Sequence, residues 1–143
     1  MKKVIFAIAM LFCCAISEVY AQATLEYIPQ FNMQVNQLIA HGGPQYQYLI
    51  QRFRNVNWGK DLRTQEVPIV TRDEIQALYR EKEMIEQLRW HYFQISRSSG
   101  YSGVGNTEYG MISTMLSNMV ISNYIPLQTR LRFFTVHRPD AVR

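Results

Sequence analysis

"TRDEIQALYREKEMIEQLRWHYFQIS", Thr71 to Ser96, is the stretch on which the reading of the fold turns. Leu78, Ile85 and Tyr92 recur every seven residues, and Leu88 and Ile95 continue a second apolar line. Apolar side chains at that spacing fall on one side of an α-helix. Thr71 and Glu74 form a capping box ahead of the run. Asp73 and Glu74 put negative charge at the positive end of the helix dipole. The spacing predicts a helix of about 25 residues, long for a small domain. Its other faces carry Arg80, Glu81, Lys82, Glu83, Glu86 and Arg89. These read as a solvated face with intrahelical pairs worth about 0.2–0.5 kcal/mol each. The Glu81 and Lys82 region interrupts the apolar seam, which argues against a coiled-coil zipper.

Upstream, Leu25, Ile28, Phe31, Val35, Leu38 and Ile39 step by three and four between Thr24 and His41, predicting another helix. "HGGP" ends it: Gly42 or Gly43 supplies a left-handed residue and Pro44 starts the next helix. Tyr46, Leu49, Ile50, Phe53 and Val56 then continue the helical spacing, so an antiparallel αα-hairpin is expected. From Asn57 to Val70 the period dissolves around Gly59 and Pro68. That segment reads as an ordered surface connection pinned by Trp58 and the Val67–Val70 patch, with a short extended piece conceivable there.

Downstream, Met111, Ile112, Met115, Leu116, Met119 and Val120 form a stripe that ends near Tyr124, and core packing is the expected use of its methionines. The tail "IPLQTRLRFFTVHRPDAVR" reads as a short helix to about Val136 or an extended segment, the helix favoured, with a loose basic end at residues 138–143. The expected class is therefore all-α. It is a small bundle of about four helices in one domain, residues 22–143: a hairpin, a long central helix, a Met-rich helix and a short C-terminal element. The apolar run Val4–Ile16 ahead of it is too short to span a membrane, which takes about 20 helical residues.

The N-terminus speaks to compartment. Lys2 and Lys3 precede the apolar run Val4–Ile16, and Val19 and Ala21 are small residues suited to a signal-peptide cleavage site after Ala21. Export to a bacterial periplasm or surface is expected. Removal of residues 1–21 takes away Lys2, Lys3, Glu18 and both cysteines, lowering the net charge from +4 to +3. A chain without cysteine has no disulfide framework and no thiolate metal site. Its mild charge argues only weakly for nucleic acid, and export argues against it.

The search for chemistry is mostly negative. His41, His91 and His137 are far apart, and Gln87, Leu88, Gln94 and Ile95 around His91 offer no good zinc ligand. Glu108 is the lone acid beside the glycine loop, and no G-x-S-x-G elbow is present. "GYSGVGNTEYG", Gly100 to Gly110, approaches G-x-x-x-x-G-K-[ST], yet Asn106 stands where the lysine belongs and a helix precedes it where a strand is required. Neither a nucleotide nor another cofactor is expected, nor a catalytic or metal centre. The loop over residues 98–110 reads as a flexible connector that brings Tyr101, Asn106 and Tyr109 to a recognition surface. The tail offers a second candidate surface, in which Arg130, Arg132 and Arg138 interleave with Phe133 and Phe134. Basic and aromatic residues together suit an acidic protein or an anionic membrane.

The leading expectation is a non-enzymatic envelope protein that contacts other envelope proteins or itself, as in a secretion or conjugation apparatus. A peptidoglycan hydrolase or its inhibitor, and an anionic-lipid binder, are the alternatives.

Overall fold

The computed structural model describes residues 33–98 and 103–143. The chain divides into two units, Met1–Ala40 and His41–Arg143. Of the first, residues 33–40 are described, and they are helical. This helix, α1, continues to residue 41 and stops at Gly42, whose φ of 69° is the left-handed conformation that ends a helix. Leu25, Ile28 and Phe31, expected on the same face, lie outside the described residues, as do the signal segment and Tyr101.

The second unit is built from α2 (Pro44–Phe53), α3 (Arg72–Ser98), α4 (Gly103–Met119) and α5 (Ile125–His137). The all-α class is shown. Among the described residues there is no strand, and the isolated parallel bridge between Val70 and Val142 is the nearest approach to one.

The long helix forms as its pattern dictates. Thr71 Oγ1 accepts from the Glu74 N–H at 3.2 Å, and Glu74 Oε2 accepts from the Thr71 N–H at 2.7 Å, closing the capping box. Leu78, Ile85 and Tyr92 are all buried. Burial works to raise the Glu74 pKa, but the Thr71 N–H and the Arg52 guanidinium outweigh it and hold the carboxyl below its ordinary value.

Against this helix α2 runs antiparallel. Near its C-terminus Arg52 Nη1 meets Glu74 Oε1 at 2.6 Å, and Nη2 donates to the Ile69 carbonyl. Its N-terminus is held differently. Pro44 occupies the first turn, and the residue before it, Gly43, has no side chain to cap the free N–H groups. Glu81 of α3 does this instead. Its Oε2 accepts from the Gln45 N–H at 2.9 Å, and its Oε1 accepts from the Tyr46 N–H at 3.3 Å and the Tyr124 hydroxyl at 2.6 Å. The Tyr124 oxygen in turn accepts from the buried Gly43 N–H at 3.0 Å. A carboxylate at a helix N-terminus also gains from the dipole. Glu81, expected on the solvated face, is therefore a structural cap reaching across to another helix.

Tyr124 reaches this point from the end of a π-turn, Val120–Tyr124, that joins α4 to α5 without a break in helical backbone. The cause is Pro126, which has no N–H to donate and crowds the carbonyl four residues back. Widening the preceding turn, with the Ile125 N–H bonded to the Val120 carbonyl, accommodates it. The tail helix is thus real and extends to His137.

The expected flexible loop over 98–110 is corrected. α3 extends to Ser98 and α4 starts at Gly103, so only residues 99–102 separate them, and these lie outside the described residues. Glycine disfavours a helix interior by about 1 kcal/mol, and packing against α3 overrides it here. The Ser113 hydroxyl donates to the Arg89 carbonyl at 3.0 Å, and Gly110 lies against Ser96. The two helices run antiparallel, and a Cβ added at Gly110 would meet Ser96 at ordinary contact distance.

The methionine expectation also needs correction. Ile112, Leu116, Met119 and Val120 are buried, at helical spacing, whereas Met111 and Met115 are 57% and 47% exposed. Their positions lie about 100° around the helix from that stripe.

The tail is not loose. Ala141 is buried, and three backbone bonds of 2.7–3.0 Å tie residues 141–143 to Val70 and Arg72. The connection before α3 is ordered as expected, with Leu62 and Val70 fully buried and Trp58 beside Phe53 and Phe134 at 5.5 and 6.2 Å between ring centroids.

Two predictions follow from the cap. Gly43 has φ −77°, so its backbone suits any residue, but an added Cβ would collide with the Glu81 carboxylate and the Tyr124 hydroxyl. Gly43→Ala should therefore cost about 1–3 kcal/mol in denaturant unfolding, although alanine normally stabilises relative to glycine. The second concerns pH. Burial, and then the bond to Glu81 and its charge, raise the Tyr124 pKa above its ordinary value of 10.0. Burial raises Tyr46 and Tyr92 as well. Stabilisation from a raised tyrosine is complete below its unfolded pKa and is lost as pH rises past it, because the unfolded chain then releases its proton first. Tyrosinate absorbance should show these three ionising above the ordinary tyrosine value, with melting temperature falling above about pH 10 and the fall shallower in Tyr124→Phe.

Candidate functional site

The residues expected to form a recognition surface do not share one fate. Tyr101 lies outside the described residues. Asn106 falls in α4, and its side chain also lies outside them. Tyr109 is half-buried and turned inward, stacked on the buried Tyr92 at 6.0 Å.

In the tail, Phe134 is fully buried and packs edge-on against Phe53 at 5.1 Å, so it belongs to the core and not to a surface. Arg138 is likewise consumed by the fold. Its Nη1 donates to the carbonyls of Leu62 at 3.1 Å and Gln65 at 2.6 Å, while Nε and Nη2 meet the Asp140 carboxylate at 3.0 and 2.9 Å. The bond to Asp140 raises the Arg138 pKa and lowers that of Asp140. Arg130, Arg132 and Phe133 remain exposed. Arg130 lies over the Trp58 ring at 5.9 Å, and Phe133 sits 3.9 Å from the His137 ring.

Two open grooves lie on the described surface. One, of about 580 Å3, lies between the start of α3 and the end of α5. Ile75, Leu131, Val136 and Val142 make it apolar, and Arg72, Arg132 and Tyr79 bring polar groups to it. The Arg132 Nε donates to the Tyr79 hydroxyl at 3.3 Å. Among the described residues no acidic one lines it.

The other groove, of about 530 Å3, lies between α3 and α4 and is lined by Phe93, Ser96, Gly110, Met111 and Met115 among others. Trp90 stacks on Phe93 at 5.5 Å and is 52% exposed, and the Arg97 guanidinium covers the Phe93 ring at 5.7 Å. Methionine beside aromatics makes an adaptable apolar surface. Sequence reasoning missed both grooves. In the sequence Met111 and Met115 merge with Ile112 and Leu116 into one apolar stripe, which hides the second groove.

Among the described residues no group of three or more His, Cys, Asp or Glu side chains could hold a metal ion, and no helix is long and apolar enough to cross a membrane. Glu108 is exposed on α4. Comparison with protein-family models, curated proteins and solved structures finds no match to this chain.

The Arg138 clamp is directly testable. Arg138→Ala should leave the Leu62 and Gln65 carbonyls without their partner and lower the melting temperature. Hydrogen exchange at the Val70 and Arg143 amides should accelerate more than at Leu116, deep in α4. Equal acceleration everywhere would mean that the clamp does not hold the tail in particular.

Proposed function

We propose that this chain is an exported, non-enzymatic protein that works through protein–protein contact, as a small subunit of a bacterial envelope assembly such as a secretion or conjugation apparatus. The observation that carries the reading is the apolar surface of the α3–α4 hairpin, where Trp90, Met111 and Met115 stand exposed around an open groove. Large apolar side chains grouped on a surface mark sites of association, and Trp is enriched at the energetic centres of interfaces. The N-terminal pattern of Lys2, Lys3, Val4–Ile16 and Ala21 supports export, since it has the charge, apolar length and small residues of a cleavable signal.

Photo-crosslinkable residues placed at Trp90 and Met115 in the native host test this, with exposed Lys60, in the connection before α3, as the control position. The reading predicts a discrete protein adduct from the two groove positions and none from the control, on a chain that begins at Gln22. Failure of both groove positions to crosslink in correctly exported protein would contradict it.

A further inference from the structure

We infer that the groove between α3 and α5 is a docking site for an acidic helical segment of a partner protein, one that sets aliphatic side chains between two carboxylates about two turns apart. The inference rests on the reading of the chain as a contact protein and names the partner's chemistry at one surface. Charge complementarity carries it.

The floor is apolar, with Ile75, Leu131 and Val136, the last 74% exposed. The two cations stand toward opposite ends. Arg72 opens α3, and Arg132 lies beside Tyr79, which is seven residues further along the same helix. Seven residues of helix rise about 10 Å. Tyr124 meets Glu81, Arg132 meets Tyr79 and Arg143 meets Arg72, so the chain from the π-turn onward runs antiparallel to this part of α3.

The nearby acids are committed or elsewhere. Glu74 holds Arg52 and the capping box, Asp140 holds Arg138, and Asp73 does not line the groove. Among the described residues neither the Arg72 nor the Arg132 guanidinium has a side-chain carboxylate partner. Arg132 uses only Nε on Tyr79, leaving Nη1 and Nη2 to donate. The Tyr79 oxygen accepts that bond and keeps its own proton to give. Two guanidinium N–H groups and a phenol together form a carboxylate receptor, for which the planar fork of arginine is well matched.

A single-headed fatty anion would satisfy one end of the groove and leave the other cation unused. A helix with acids at positions i and i+7 and leucines at i+3 and i+4 satisfies both, with its apolar face on the floor.

The test uses blocked peptides carrying a hydrocarbon staple opposite the leucines: AEAALLAAEA, and its counterparts with Gln or Lys in place of both Glu. Binding is measured by calorimetry and by amide shifts of the intact chain. The acidic peptide should bind about tenfold more tightly than the Gln form, equivalent to about 1.4 kcal/mol, and the Lys form more weakly still. The preference should shrink as salt rises. Arg72→Ala/Arg132→Ala should reduce the acidic peptide to the Gln level with an unchanged melt, both arginines being exposed. Tyr79→Phe should weaken the acidic peptide alone.

Equal affinities for the three peptides, no millimolar binding by any, or shifts away from α3 and α5 would overturn the inference. So would a dimer of the free chain that the double arginine variant dissociates, since the occupant would then be a second copy. Loss of this peptide preference with crosslinks retained at Trp90 and Met115 would remove this site and leave the contact function standing.

Discussion

One carboxylate ties three segments of this protein together. Glu81, in the middle of α3, takes the free N–H groups of the first turn of α2 and the hydroxyl of Tyr124 at the end of the π-turn. Each of those groups would otherwise be a donor without a partner in a partly buried place, and such a donor costs about 1–3 kcal/mol. The arrangement is mutual. α2 lacks a capping side chain because Gly43 must be bare to admit Glu81 and Tyr124, and Glu81 is tolerated near the core because α2 presents donors to it. The direction of α2 on α3, the depth of Tyr124 and the path of the chain past Pro126 all depend on that junction.

From it the rest of the second unit follows as packing. Tyr46 lies against Tyr124 at 4.9 Å, and beyond the other end of α2 the rings of Phe53, Trp58 and Phe134 close the core under α5. Arg138 and the Val70–Val142 bridge then fasten the end of the chain onto the segment before α3. What this firm interior leaves outside is chemically uneven. The α3–α4 face is aromatic and methionine-rich, while the α3–α5 groove is aliphatic with two arginines. A rigid scaffold holding two unlike concave surfaces is the physical basis for the proposal that the chain works by contact. The two surfaces would suit different neighbours.

Much of the framework was legible in the sequence where the physics is local. The Thr71–Glu74 box, the seven-residue recurrence of Leu78, Ile85 and Tyr92, and the Gly42 stop are decided within a few residues of themselves, and each stands in the structure as its pattern requires. Misreadings arose where the partner is distant. Glu81 was placed with the solvated charges, although it sits three residues after Leu78 and four before Ile85, a seam position where an acid needs a buried reason. In sequence Phe134 and Arg138 resemble a surface because charge and aromaticity alternate through the tail. Their burial and bonding come from residues more than 70 positions away in the case of Arg138. The glycine stretch failed for a related reason: helix propensity is local, and contact with Ser96 and Arg89 across the hairpin overrides it. Among the described recognition residues, Arg132 lines the α3–α5 groove.

The central claim is that Glu81 and Tyr124 act as one unit, and a double-mutant cycle of Glu81→Ala and Tyr124→Phe in denaturant unfolding measures it most directly. Each single variant should destabilise the chain, and the double variant should lose less than their sum by at least about 1 kcal/mol. Strictly additive losses would show that the two side chains stabilise the protein independently, and the account of a shared cap would be wrong.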